Sequence, residues 1–187
     1  MQQIHILHYY KLISPKLLKD LQAAVKLLKQ KQEEIKAEAG FLADNVGDKI
    51  PVIYINCEYE SVAIRLKQQL NENAKMLCWY NVLPEMNHNE IVGWRGDYEN
   101  VAVIMLRNQN DQARVAQRFD FCMATIANCT SAIFEIYSQG KTKMEQALFL
   151  IHLGDWLSFY ASKVRGYDAT EVRVIDQLKN DLESLKW

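Results

Sequence analysis

The sequence predicts a three-layer α/β domain, a mostly parallel sheet flanked by helices, with an extra helical segment at its N-terminus. Two observations carry this. Four short continuous apolar runs, at residues 52–55, 76–82, 101–106 and 132–137, read as strands covered on both faces. Between them lie stretches of helical period, and strands that alternate with helices need parallel crossovers. The 187 residues suit one domain with a sizeable core. They divide into a helical segment over residues 1–49 and a single domain over residues 50–187.

Residues 1–13 hold His5, His8, Tyr9 and Tyr10 in an apolar stretch with no basic start, so they do not read as a signal peptide. A helix is expected from Ser14, a natural N-cap before Pro15, to Ala39. Leu21, Ala24, Leu28 and Ile35 mark its buried face, and Lys29 to Lys36 supply a solvated one. Gly40 reads as its stop and residues 44–48 as a polar loop. A second helix spans residues 60–73, with Val62, Ala63, Leu66 and Leu70 on one side, and a short one falls around 84–92. A further helix runs over about 111–129.

Two helices close the chain. Residues 143–164 are apolar almost all round at 147–153, so this helix needs cover on two sides, in the core or at a subunit interface. A two-fold homodimer is the commonest solution. Gly154 costs about 1 kcal/mol relative to Ala in its middle, a sign of close approach by a neighbour. Residues 170–187 form a last amphipathic helix around Val174, Ile175, Leu178, Leu182 and Leu185.

Composition excludes several classes. Lys and Arg number 22 against 23 Asp and Glu, for a net charge of −1, which argues against nucleic acid or a membrane surface as the main partner. No apolar run approaches the roughly 20 residues of a membrane span. Cys57, Cys78, Cys122 and Cys129 show no C-x-x-C spacing and read as buried free thiols in a cytoplasmic protein. The glycine-rich phosphate loops, H-E-x-x-H and G-x-S-x-G are absent. His5 and His8 lack a third metal ligand nearby in sequence, and His152 reads as a hydrogen-bonded core histidine.

One stretch is odd for a plain structural element. Asn71, Glu72 and Asn73 crowd polar side chains at a helix end, just before a buried strand, and Asn87 and His88 follow that strand. Ligands of open α/β sheets gather outside the carboxyl ends of strands. Taken blandly, Glu72 is a solvated helix end and His88 an exposed loop residue.

The motifs N-E-N-A-K from Asn71, P-E-x-N-H-N-E-I-V-G-W from Pro84, L-G-D-W-x-S-x-Y from Leu153 and I-D-x-L-K from Ile175 occur in order. Together they resemble the bifunctional phosphoglucose/phosphomannose isomerases, members of the sugar isomerase (SIS) superfamily, across residues 51–179. Residues 12–28 resemble the helical connection between that family's two SIS domains. The resemblance implies a flavodoxin-like SIS domain, the second of two. It also implies aldose–ketose isomerisation of 6-phosphosugars through a cis-enediol, with no metal or organic cofactor. Glu72 would move the proton between C1 and C2, His88 would assist ring opening in a partner subunit's site, and Lys179 would favour negative charge on oxygen. Asn71, Asn73 and Asn87 would contact the sugar phosphate.

The sequence departs from the family in one respect. The Ser/Thr- and Gly-rich loops that hold phosphate in the first domain have no counterpart, and Cys57-Glu58-Tyr59-Glu60 is acidic and bulky where such a loop prefers small residues. The expectation is therefore the C-terminal half of an isomerase, inactive alone and served by a separate N-terminal SIS domain. His88 would lie near a homodimer boundary. The alternative from another class is a non-catalytic SIS module that binds sugar phosphate or dimerises.

Overall fold

The strand runs become β1 (Ile50–Asn56), β2 (Trp79–Leu83), β3 (Val101–Arg107) and β4 (Ile133–Tyr137). They form one sheet in the order β2-β1-β3-β4, every neighbouring pair parallel. This is a computed structural model, and it describes residues 2–185; Met1, Lys186 and Trp187, the last two ending the expected final helix, lie outside the described residues.

Side chains alternate across the sheet as the pleat requires. Ile53 and Ile55 of β1, with Ala102, Ile104 and Leu106 of β3, enter one core. That core is shared with α2 (Pro15–Val46), α3 (Glu60–Asn73) and α5 (Lys143–Val164). Tyr54, Val103 and Met105 point the other way, against α4 (Ala113–Ile126) and Met86. The chain leaves β1 through α3 toward one edge and leaves β3 through α4 toward the other. Right-handed crossovers in opposite directions put those helices on opposite faces, which gives three layers.

α2 starts as expected, with Ser14 Oγ accepting the Lys16 N–H at 3.2 Å and Pro15 in the first turn. It does not stop at Gly40 but runs on to Val46 and ends at Gly47, whose φ is +52°. The reason is packing. Leu42, Ala43 and Val46 are buried in the core, and burying one such large side chain yields about 1.5–3 kcal/mol, more than the roughly 1 kcal/mol a mid-helix glycine costs. The expected 44–48 loop is therefore mostly helix.

Three other expectations change. The helix around 84–92 resolves into two 3-10 turns, Glu85–His88 and Glu90–Gly93, because Asn89 adopts a non-helical φ of −141° and caps the second. β2 begins at Trp79 rather than Met76, since Lys75 takes a φ of +53° and Asn71 holds the Met76 carbonyl in a turn. Residues 2–9 form α1 (Gln2–Tyr9), and the last helix shortens to α6 (Arg173–Glu183); neither buries a residue.

The cover that α5 needs comes from within the chain. α2 and α3 both pack against it, and Phe149, Leu150, Leu153 and Leu157 are buried. Its apolar stripe gives no separate argument for a subunit interface. Gly154 admits the Leu66 side chain, whose Cδ1 would stand 3.1 Å from an added Cβ. All four thiols are free, but Cys57 is exposed, not buried, because it opens the turn after β1. His152 is half-buried and accepts the Trp156 indole N–H at 3.3 Å. Among the described residues no helix is long and apolar enough to cross a membrane.

Candidate active site

Glu72 occupies the last turn of α3 and its side chain is open to solvent. It lines a cleft of about 320 Å³ whose far wall is the segment Val172 to Ile175 at the start of α6. Lys75 shapes this cleft. Its ammonium donates to the backbone carbonyl of Glu72 at 2.8 Å and to that of Asp168 at 2.7 Å. A cation on the carbonyl end of a helix is favourable, and here it also ties the loop before α6 to the end of α3. Arg173, whose guanidinium lies 3.8 Å from the Glu171 carboxylate, lines the same cleft, so two cations share its walls with Glu72. Neither Lys75 nor Arg173 was a candidate from sequence. The signal available was the lysine closing N-E-N-A-K.

The neighbouring asparagines are occupied. Asn71 donates to the Met76 carbonyl at 2.6 Å, and Asn73 to the Ser158 hydroxyl of α5 at 2.9 Å. Both fix the Glu72 backbone: one shapes the turn behind it and the other clamps α3 to α5. Lys179 sits about one turn beyond Ile175 on α6, outside the cleft wall, with its ammonium 3.8 Å from Asp176.

His88 ends the first 3-10 turn after β2 and is exposed. Asn87 anchors that turn to α4, donating to the Cys122 sulfur at 2.9 Å and accepting from Arg118 at 3.2 Å. Glu72 precedes β2 and His88 follows it, so the strand separates them; five residues at a rise of about 3.3 Å span roughly 16 Å. The carboxyl-end rule thus fits His88 and not Glu72. A single chain does not bring the two together. Among the described residues no cluster of three or more His, Cys, Asp or Glu is placed to hold a metal ion.

Comparison with known proteins gives this geometry a context. The profile of the bacterial phospho-glucose isomerase C-terminal SIS domain matches residues 35–182. The chain belongs to this family. As a bacterial phospho-glucose isomerase C-terminal SIS domain, it is 34% identical over 177 residues to the bifunctional phosphoglucose/phosphomannose isomerase of Caldicellulosiruptor bescii, covering 89% of this chain and 52% of that protein. The enzyme of the same name from Aquifex aeolicus is 31% identical over 166 residues, covering 88% and 52%. This SIS domain therefore spans about half the length of those relatives. Its fold matches that of a glucose-6-phosphate isomerase like protein from Thermus thermophilus, with a TM-score of 0.68 at 17% identity over 86% of this chain and 55% of that one.

Proposed function

We propose that this chain is the C-terminal half of an aldose–ketose isomerase acting on glucose 6-phosphate or mannose 6-phosphate and fructose 6-phosphate. The observation that carries the reading is the Glu72 cleft, a solvent-accessible carboxylate on a rigid helix end, facing the start of α6. A positioned carboxylate can take a proton from one carbon and return it to its neighbour, a contribution of about 10²–10⁴-fold. Lys75 and Arg173 in the walls of the same cleft supply positive charge that would favour the negative charge an enediol develops.

A complete site needs two further parts. The phosphate must be gripped from elsewhere, by an N-terminal SIS domain like the other half of the relatives; without that remote binding energy the reacting carbons are not held. The imidazole must come from a second copy, because His88 stands beyond the opposite end of β2. Exposed Val92 and Phe121 on the turns and helix around His88 offer apolar surface for a homodimer contact there. Lys179, on the exposed α6, would approach the sugar from the same helix that walls the cleft.

The test is an isomerase assay of the chain alone and of the chain joined to the N-terminal half of the Caldicellulosiruptor bescii enzyme. The chain alone should show no turnover and the joined protein should interconvert glucose 6-phosphate and fructose 6-phosphate. Glu72→Gln should lower kcat by about 10²–10⁴-fold. An active joined protein indifferent to Glu72→Gln would remove the base from this reading. The commitment of Asn71 and Asn73 to internal hydrogen bonds favours a second reading, a non-catalytic sugar-phosphate or dimerisation module. It predicts substrate binding by the joined protein without turnover.

A further inference from the structure

Nine polar or charged residues are buried among the described residues, and six of them, Asn56, Arg107, Asn108, Ser138, Glu145 and Gln146, gather at one end of the sheet. They sit at the carboxyl ends of β1, β3 and β4 and in the first turn of α5. Burying polar groups is unfavourable unless they are partnered, so their concentration in one place needs a reason. Asn56, Asn108 and Gln146 line a cavity of about 460 Å³ between the carboxyl ends of β1 and β3. That is the point where the crossovers turn in opposite directions, the position where ligands enter open α/β sheets. The volume falls within the range of about 300–1,000 Å³ of small-molecule sites. The cavity lies at the other end of the sheet from Glu72.

The polar groups here define what would fit. Asn108 Oδ1 accepts from the Ser138 hydroxyl at 2.8 Å, while its Nδ2 is buried with no partner. Asp111 is held only by neutral donors, Asn56 Nδ2 and the Asn108 backbone N–H, each at 3.0 Å. An unused amide donor and an uncompensated carboxylate therefore line one cavity. A hydroxyl group donates and accepts at once and complements such a pair. At the rim Lys143 pairs with Glu58, and Lys141 lines the cavity without forming an ion pair with Asp111. A phosphate monoester carries nearly two negative charges and would meet the Asp111 carboxylate with no small-residue loop to hold it. Val115 and the Tyr59 ring supply apolar surface for carbon-bound hydrogens.

We propose that this cavity binds an uncharged, polyhydroxylated small molecule of monosaccharide size without phosphate, at a site separate from the Glu72 cleft. The experiment is a nitrogen-15 NMR titration of the chain with D-glucose, D-fructose and sorbitol, and in parallel with fructose 6-phosphate. At least one neutral probe should give saturable shifts at the backbone amides of Asn56 and residues 108–112. Asn108→Leu should weaken that binding about tenfold, the effect of losing one hydrogen bond. Asp111→Asn, which keeps the side-chain shape, carries the same test if the leucine variant does not fold. It should weaken the neutral probe and strengthen fructose 6-phosphate at these amides. Glu72→Gln should leave every one of these shifts in place, so this site stands or falls independently of the isomerase reading. No saturable shift with any neutral probe overturns the proposal. So does fructose 6-phosphate binding the wild-type cavity as tightly as the best neutral probe.

Discussion

Trp94 donates its indole N–H to the hydroxyl of Tyr54 at 3.0 Å, and that hydroxyl donates onward to the Glu90 carboxylate. The second Glu90 oxygen accepts from Asn81 of β2 at 2.6 Å. A fully buried phenol in the centre of the sheet thus ties the two 3-10 turns, and with them the backbone that carries His88, to β1 and β2. Tyr54→Phe keeps the ring but leaves the Trp94 N–H and one Glu90 oxygen without their partner. The expected loss is about 1–3 kcal/mol, read as a lower urea midpoint. Faster amide exchange across residues 85–93 should accompany it, because that segment loses its tether.

Asn73 separates a structural from a substrate-binding role. Its amide is spent on Ser158, a fully buried hydroxyl that itself donates to the Asp155 carbonyl at 2.9 Å. Asn73→Ala should cost about 1 kcal/mol of stability. In the protein joined to a relative's N-terminal half, KM for fructose 6-phosphate should stay within about twofold, since only a contact made to bound substrate raises KM. A large rise in KM at unchanged thermal stability would return Asn73 to the substrate.

The sheet was legible because β1 and β3 are buried on both faces and their apolar runs leave no other reading. The ends of elements were less so. Gly40 looked like a stop because sequence shows the local cost of glycine and not the burial of Leu42 and Val46 one turn later. The candidate site was legible as a motif and not as a geometry. Glu72 and His88 are neighbours in pattern, yet the strand between them carries them to opposite ends of the sheet, and no spacing rule contains that fact. For Lys75 the motif N-E-N-A-K marks the residue but not its role, which is to grip two backbone carbonyls, Glu72 and Asp168, the second of them 93 positions away.

The buried thiol and phenol set the alkaline limit of stability. Burial pushes the Cys78 thiol up to about 12, and burial together with the Glu90 carboxylate pushes the Tyr54 phenol well above its ordinary value. Both groups hold their protons more tightly folded than unfolded. Their contribution is therefore fully present below the unfolded values, about 8.5 for cysteine and about 10 for tyrosine, and is lost as pH rises above them. Urea midpoints should be flat up to about pH 8 and fall steadily toward pH 12. Cys78→Ala should flatten the early part of that fall. In the same pH range Cys57 should react at once with a thiol reagent, and Cys78, Cys122 and Cys129 only on unfolding.

Two glycines with positive φ test how α5 is capped. Gly140 has a φ of +117°, and a Cβ there would stand 2.4 Å from Cβ of Glu145 and 3.2 Å from Cδ2 of Leu27. Glu145 closes the cap of α5: its carboxylate accepts the N–H groups of Lys141 at 3.0 Å and Thr142 at 2.8 Å, while the Thr142 hydroxyl accepts the Glu145 N–H. Gly140→Ala therefore adds backbone strain of about 1–3 kcal/mol to the loss of a cap worth about 1 kcal/mol. Gly166 has a φ of +72° with open space around it, so Gly166→Ala should cost only the left-handed penalty of about 1–2 kcal/mol. Calorimetry should find the larger fall in Tm for Gly140→Ala. If the clash acts through the cap, Thr142→Ala should cost less in the Gly140→Ala background than alone, because the same hydrogen bonds cannot be lost twice.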